Sequence, residues 1–153
     1  MTFVVDRMLG TLARWLRVLG YDTLYPGPLT DLQLLQISRA QDRILITRDT
    51  KIAKRKDDRV FFISSDKPDE QLRQVIRELK VKVESKLFTR CLECNSPLEK
   101  VSKEEVEGKV PPYVFAHHQG FKHCHKCDKY YWQGTHWERI TKKMKKFKSI
   151  ESR

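Results

Sequence analysis

Apolar and polar positions fall into short periodic blocks over residues 1–84. Phe3-Val4-Val5 is a continuous apolar run that stops at Asp6, the pattern of a strand buried on both faces of a parallel sheet. Leu9, Leu12, Leu16 and Leu19 recur at three- and four-residue spacing, with Arg14 and Arg17 between them, and predict a helix ended by Gly20. Tyr21 to Tyr25 fits a second short strand, closed by Pro26-Gly27-Pro28. Thr30 with Gln33 makes a capping-box pattern and predicts a helix to about Gln41, with Leu34, Leu35 and Ile37 inward. Ile44 to Thr47 is a third strand, followed by Arg48-Asp49-Thr50 and a basic stretch reaching Arg59. Val60 to Ile63 is a fourth, and Pro68 opens a helix with Leu72, Val75, Ile76 and Leu79 on one stripe.

Strands alternating with helices predict an α/β domain over residues 1–84, a small, mostly parallel sheet with helices on both faces. Val81 to Leu87 is the expected connection to a β-rich module at 85–138. A basic tail, 139–153, follows. In that tail six basic residues and no acid lie between Arg139 and Lys148, while Ile140, Met144 and Phe147 share one helical face. It is either a basic helix laid on nucleic acid or a solvated end.

Composition narrows the classes. Of 153 residues, 39% are hydrophobic and 33% charged, which excludes a disordered chain and suits one domain plus a small module that needs help to fold. No apolar run approaches the roughly 20 residues of a membrane span. Met1 to Asp6 leads into a strand, not a signal peptide, so a cytoplasmic address without a membrane partner is expected. Net charge is +11; residues 1–84 carry 16 basic and 12 acidic side chains, residues 85–153 carry 15 and 8. This balance favours nucleic acid, with solubility alone as the plain alternative.

All four cysteines lie in two CxxC pairs, Cys91/Cys94 and Cys124/Cys127. Two such turns facing each other make a tetrahedral sulfur cage for structural Zn2+. Two disulfides, single-pair redox chemistry, or a ligand among His117, His118, His123, His125 and His136 are the alternatives. Tyr130, Tyr131, Trp132 and Trp137 lie near Lys122, Lys126, Lys129 and Arg139, either as stacking platforms beside phosphate contacts or as the module's thin core. Lys129, Trp132 and His136 are the candidate RNA contacts from this set.

In open α/β sheets chemistry gathers beyond the carboxyl ends of the strands. Asp6 and Asp49 follow strands there, and Asp31 lies in a connection crossing the same edge. Three carboxylates meeting on one edge require cations, and Mg2+ or Mn2+ would also bind a phosphodiester and activate water. Arg48 and Lys51, with Arg7 and Arg14, are candidates to hold the substrate backbone; Thr47 or Asp66 would support the metal shell. Each residue also has an ordinary reading: Asp31 against a helix dipole, Asp49 as a cap, and Asp6 in an ion pair with Arg7, Arg14 or Arg48.

Val5-Asp6-Arg7-Met8-Leu9-Gly10, Leu12-Ala13-Arg14-Trp15-Leu16-Arg17, Leu19-Gly20-Tyr21-Asp22 and Ile46-Thr47-Arg48-Asp49 resemble the Mut-seven C-terminal RNase domain family. The likeness continues through Arg90-Cys91, Cys94-Asn95, Cys124 to Cys127, and Tyr131-Trp132-Gln133-Gly134-Thr135-His136-Trp137, covering nearly the whole chain. It implies a PIN-like nuclease fold with a zinc ribbon, and a metal-dependent ribonuclease with Asp6, Asp31 and Asp49 as its acidic centre. The fourth acid common in PIN-like enzymes has no clear counterpart, Asp22 and Asp66 being poor substitutes. The expected function is an endoribonuclease acting on RNA, with structured or ribosomal RNA as candidate targets. The rival is a non-catalytic RNA-binding or ribosome-associated module, and a preference for DNA is not excluded by any residue pattern.

Overall fold

The computed structural model describes residues 1–151. Its first half is built on four short strands, β1 (Phe3–Val5), β2 (Thr23–Leu24), β3 (Ile44–Thr47) and β4 (Val60–Phe62), all parallel in the order β2-β1-β3-β4. Phe3 stands opposite Thr23 on one side and Ile44 on the other, and Val5 opposite Ile46. Since successive side chains point to opposite faces, each strand feeds two cores. Phe3, Val5, Ile46 and Ile63 pack against α1 (Gly10–Val18) and α4 (Pro68–Leu79). Val4 and Leu45 pack against Leu34 and Leu35 of α2 (Asp31–Gln41) and Ile52 of α3 (Thr50–Ala53). Helices therefore cover both faces, as the alternation predicted.

Local chemistry sets the element ends. Thr30 accepts from the Gln33 backbone N–H while the Gln33 side chain accepts from the Thr30 backbone N–H, closing the capping box of α2, a cap of about 1 kcal/mol. Pro68 opens α4, with Asp69 and Glu70 in its first turn facing the positive end of the helix dipole. After α1, Gly20 has φ +90°, and a Cβ there would fall 2.3 Å from the Lys86 carbonyl oxygen. Glycine is needed for its conformation and for the close approach of the 81–87 segment.

The structure departs from the sequence pattern in several places. The second strand is shorter than Tyr21–Tyr25: only Thr23 and Leu24 stand opposite β1, paired with Phe3 and Val4. The basic stretch after Asp49 begins with the one-turn helix α3. Val81 and Val83 are fully buried in the α1/α4 core, so the connection is part of that core.

The second half holds an antiparallel sheet of β5 (Glu99–Val101), β6 (Phe121–Cys124) and β7 (Lys129–Trp132), with β6 central. Two short helices, α5 (Lys103–Val106) and α6 (Pro112–His117), fill the β5–β6 connection over a small core of Val106, Val110 and Phe121. The β reading of this module missed both. The last helix, α7 (Thr135–Lys145), returns to the first half. Met144 and Phe147 are buried in the α1/α4 core, with Ile140 and Ile150 beside them. At roughly 1.5–3 kcal/mol per buried side chain of this size, that face anchors the tail. A solvated end is excluded for its described residues. Lys143 lies 4.5 Å over the Trp15 ring and 3.1 Å from Asp69.

Candidate functional site

The two CxxC pairs sit on similar turns. Cys91 and Cys94 lie on a small hairpin in which the Asn95 N–H bonds to the Cys91 carbonyl and the Cys91 N–H to the Ser96 carbonyl. Cys124 ends β6, and the Cys127 N–H points at its sulfur, 3.4 Å away. Each pair is followed by a left-handed residue, Asn95 (φ 74°) and Asp128 (φ 53°), types that tolerate this conformation. The turns bring all four Sγ atoms within 4.8 Å of one another, with Cys94 and Cys124 at 3.4 Å. None of the four is joined in a disulfide.

Zinc at about 2.3 Å from each sulfur would separate the sulfurs by about 3.8 Å. The spacing and the all-sulfur donor set fit that ion. No histidine belongs to the group among the described residues; His123 and His125 instead contact Asp128 at 2.8 Å and Glu99 at 2.6 Å. Without a cation the four groups do not share charge evenly. Burial pushes the Cys94 thiol up, but hydrogen bonds from Ser96, Cys127 and Cys124 outweigh it and bring it to about 6. The hydrogen bond with Cys94, aided by burial, pushes Cys127 up to about 12. A divalent cation is what would let all four ionise together.

This cage is hooked to the first half by residues that the sequence pattern did not single out. Arg17, on α1, is buried; its Nε donates to the Thr23 carbonyl at 3.0 Å and its Nη1 to the Leu92 and Glu93 carbonyls at 2.9 and 3.2 Å. Asn95 accepts from the Thr23 N–H at 2.8 Å and donates to Asp22 at 2.7 Å. Asp22 also pairs with Arg43 at 2.8 Å. It lies before β2, at the amino edge of the sheet, so it is no fourth acid for a site at the carboxyl edge. Asp66 is exposed.

At the carboxyl edge the chain makes its other arrangement. In the order β2-β1-β3-β4 the connections leave β1 in opposite directions, so the switch point falls between β1 and β3. Asp6 and Asp49 follow those strands. Thr47, fully buried, joins them: its hydroxyl donates to Asp6 Oδ2 at 2.8 Å and accepts from the Asp49 N–H at 2.9 Å. Asp6 Oδ1 accepts from the Arg7 N–H at 2.8 Å. Asp49 Oδ1 caps α3 through the Lys51 N–H at 2.7 Å. The Tyr25 hydroxyl donates to the Arg7 carbonyl, and its oxygen would lie 2.9 Å from a Cβ on Gly10, so glycine there admits the ring that pins this turn.

Asp31 is the first residue of α2, reached from the carboxyl end of β2 and half-buried. The sulfur quartet is the ligand cluster found among the described residues. Asp6 and Asp49 are linked through Thr47, whose hydroxyl bonds to the Asp6 carboxylate and to the Asp49 backbone N–H. Beside them, Arg48 Nη2 reaches the Ser64 carbonyl at 3.5 Å, and its buried Nε has no hydrogen-bond partner among the described residues. Arg7 and Lys51 are exposed.

The remaining candidates gather elsewhere. Arg14, Lys129, Trp132 and His136 line a groove of about 450 Å³ between the antiparallel sheet, α1 and α7. Glu93 on its wall is 4.0 Å from Arg14 and 3.5 Å from Lys129. No described helix is long and apolar enough to cross a membrane.

A parallel sheet covered on both faces, joined to a four-cysteine antiparallel module, defines the class of protein. The family model described as the Mut7-C RNAse domain matches residues 1–144, and the chain belongs to that family. No curated protein and no solved structure matches it. The family points to a ribonuclease-related role with RNA as the substrate.

Proposed function

We propose that the protein is a divalent-metal-dependent endoribonuclease that cleaves RNA phosphodiesters at the Asp6/Asp49 edge, with the zinc ribbon and α7 holding the RNA. The observation that carries this is the Thr47 hydroxyl, which holds the Asp6 carboxylate and the Asp49 backbone N–H at the switch point of a parallel sheet, so that both acids follow strands at one edge. Asp49 Oδ2 makes no hydrogen bond among the described residues, and each Asp6 oxygen accepts only one there. Free lone pairs on two carboxylates fit Mg2+ or Mn2+, which keep several waters and take one or two protein carboxylates. Asp31 would add a third acid from the start of α2.

A cation held there supplies a water of lowered pKa and takes up charge developing on the phosphate. The chain's own part is positional. Thr47 and the Arg7 N–H fix the Asp6 carboxylate and the α3 cap fixes Asp49, while Arg7 and Lys51 are the exposed cations beside them that can bind a phosphate oxygen. The ribbon's zinc, in a closed four-sulfur site, has no open position and serves structure alone.

One finding favours the non-catalytic rival: Asp22 is occupied at the opposite edge by Arg43 and Asn95 and supplies no fourth acid. A labelled RNA incubated with Mg2+ or Mn2+ separates the two readings. Metal-dependent cleavage, lost in Asp6→Asn and Asp49→Asn while binding persists, is the expected result. Salt-sensitive binding without cleavage at any metal concentration would establish the binding module instead.

A further inference from the structure

We infer that the groove between the antiparallel sheet, α1 and α7 is a subsite for an unpaired RNA segment, in which a base stacks on Trp132 or Trp137 while Arg14 and Lys129 take its flanking phosphates. This rests on the ribonuclease reading for its polymer and goes beyond it in naming the form of RNA and the place that receives it. The walls come from three distant parts of the chain: Arg14 from α1, Lys109 ahead of α6, and Lys129 to Trp137 from β7 and α7.

The groove is aromatic inside and cationic at its rim. Tyr130, Trp132 and Trp137 line it and are only partly buried. Trp137 is held against Phe88 with ring centroids 3.8 Å apart, and so is a fixed surface. The Trp132 and Trp137 indole N–H groups make no hydrogen bond among the described residues, leaving a donor beside each ring. Lys109, Lys129 and Arg14 are exposed at the rim. Of the two acids lining the groove, Asp128 contacts His123 at 2.8 Å and Glu93 pairs with Arg14 and Lys129 at 4.0 and 3.5 Å, with both cations about half exposed. Exposed pairs of this kind contribute little, so a phosphate can displace Glu93.

Base form follows from shape. In a duplex each base is covered above and below by its neighbours, so no face is free for an indole. A single strand alternates a bare ring with a phosphate, matching aromatic floor and cationic rim. Acidic peptides would use the rim and ignore the floor. Position agrees as well, because α1 starts at the turn after Asp6 and Arg14 is about 6 Å along it from Gly10. A strand lying in the groove can thus continue toward the carboxyl edge.

The test uses zinc-loaded full-length Asp49→Asn protein, which should bind without cutting, and a single-stranded RNA of about six nucleotides. Tryptophan fluorescence should be quenched on binding. Arg14→Ala, Lys129→Ala and the conservative Trp132→Phe should each weaken affinity, with Trp132→Leu losing about tenfold. Zinc content and melting temperature verify that each variant is folded. Quenching by the same sequence as a duplex with equal affinity overturns the assignment, as does equal binding of polyglutamate. Unchanged affinity in all the folded variants overturns it too. If metal-dependent cleavage of longer RNA by the unmutated chain persists in that case, the groove falls while the ribonuclease reading stands.

Discussion

The sulfur cage and the acidic edge solve opposite problems with similar means. At the cage, four ligand atoms are already within 4.8 Å of one another, and their turns are tied to α1 and β2 through Arg17 and Asn95. At the edge, one threonine hydroxyl holds the Asp6 carboxylate and the Asp49 backbone N–H, and Asp49 Oδ2 makes no hydrogen bond among the described residues. A site whose ligands are all present and enclosed can only stabilise. A site left partly open can take a substrate. The difference separates the two ends of one small sheet, the amino edge seating the ribbon and the carboxyl edge carrying the acids proposed for the chemistry.

The hardest test of this division is zinc removal. Chelation should unfold the ribbon, since structural zinc contributes about 10–16 kcal/mol of apparent binding energy in such modules. Because Arg17 joins cage to sheet, α1 should lose hydrogen-exchange protection as well. Unchanged protection of α1 after the zinc has left would show the two regions to be independent.

Next in size, Asp49→Asn should lower RNA cleavage by about 10²- to 10³-fold, corresponding to several kcal/mol of lost metal stabilisation, with zinc content and melting temperature near the parent's. Arg17→Met should do the reverse. Loss of its three carbonyl contacts should cost about 3 kcal/mol and lower the melting temperature by roughly 6–12 °C, and faster zinc release to a chelator would accompany it. A smaller effect is expected from Thr47→Val, which keeps shape but removes the bridge: about tenfold slower cleavage and 1–2 kcal/mol of stability. Normal cleavage in this variant would show that the threonine does not set the acids.

The smallest effect concerns acid. Burial alone would raise the Asp22 carboxyl, but hydrogen bonds from Arg43 and Asn95 outweigh it and hold the group below the usual carboxylate range. Its stabilisation is complete above the unfolded value of about 3.9 and is lost as pH falls through the lower folded one. Asp22→Asn should therefore flatten the dependence of melting temperature on pH below about 4, and an unaltered slope would remove Asp22 from the hook.

Much of this was legible in the chain. Phe3-Val4-Val5 ending at Asp6, the Thr30/Gln33 box and the paired CxxC motifs are local signals, each decided by neighbours within a few residues. Arg17 was not legible: it sits among the leucines of α1 like a surface residue, and its partners Leu92 and Glu93 lie 75 and 76 residues away. Asn95 carried a faint signal, a residue tolerant of left-handed backbone directly after Cys94. The tail's apolar stripe was visible, yet only the α1/α4 surface shows where Met144 and Phe147 go. Convergence of Asp6, Asp31 and Asp49 was expected from topology, and topology places residues on an edge without fixing side-chain distances.

The central claim is that the Asp6/Asp49 edge holds a divalent cation. Titration of zinc-loaded protein with Mn2+, followed by loss of the free-ion electron paramagnetic resonance signal, tests it directly. Saturable uptake that disappears in both Asp6→Asn and Asp49→Asn is the predicted result. No uptake, or equal uptake in parent and both variants, would contradict it.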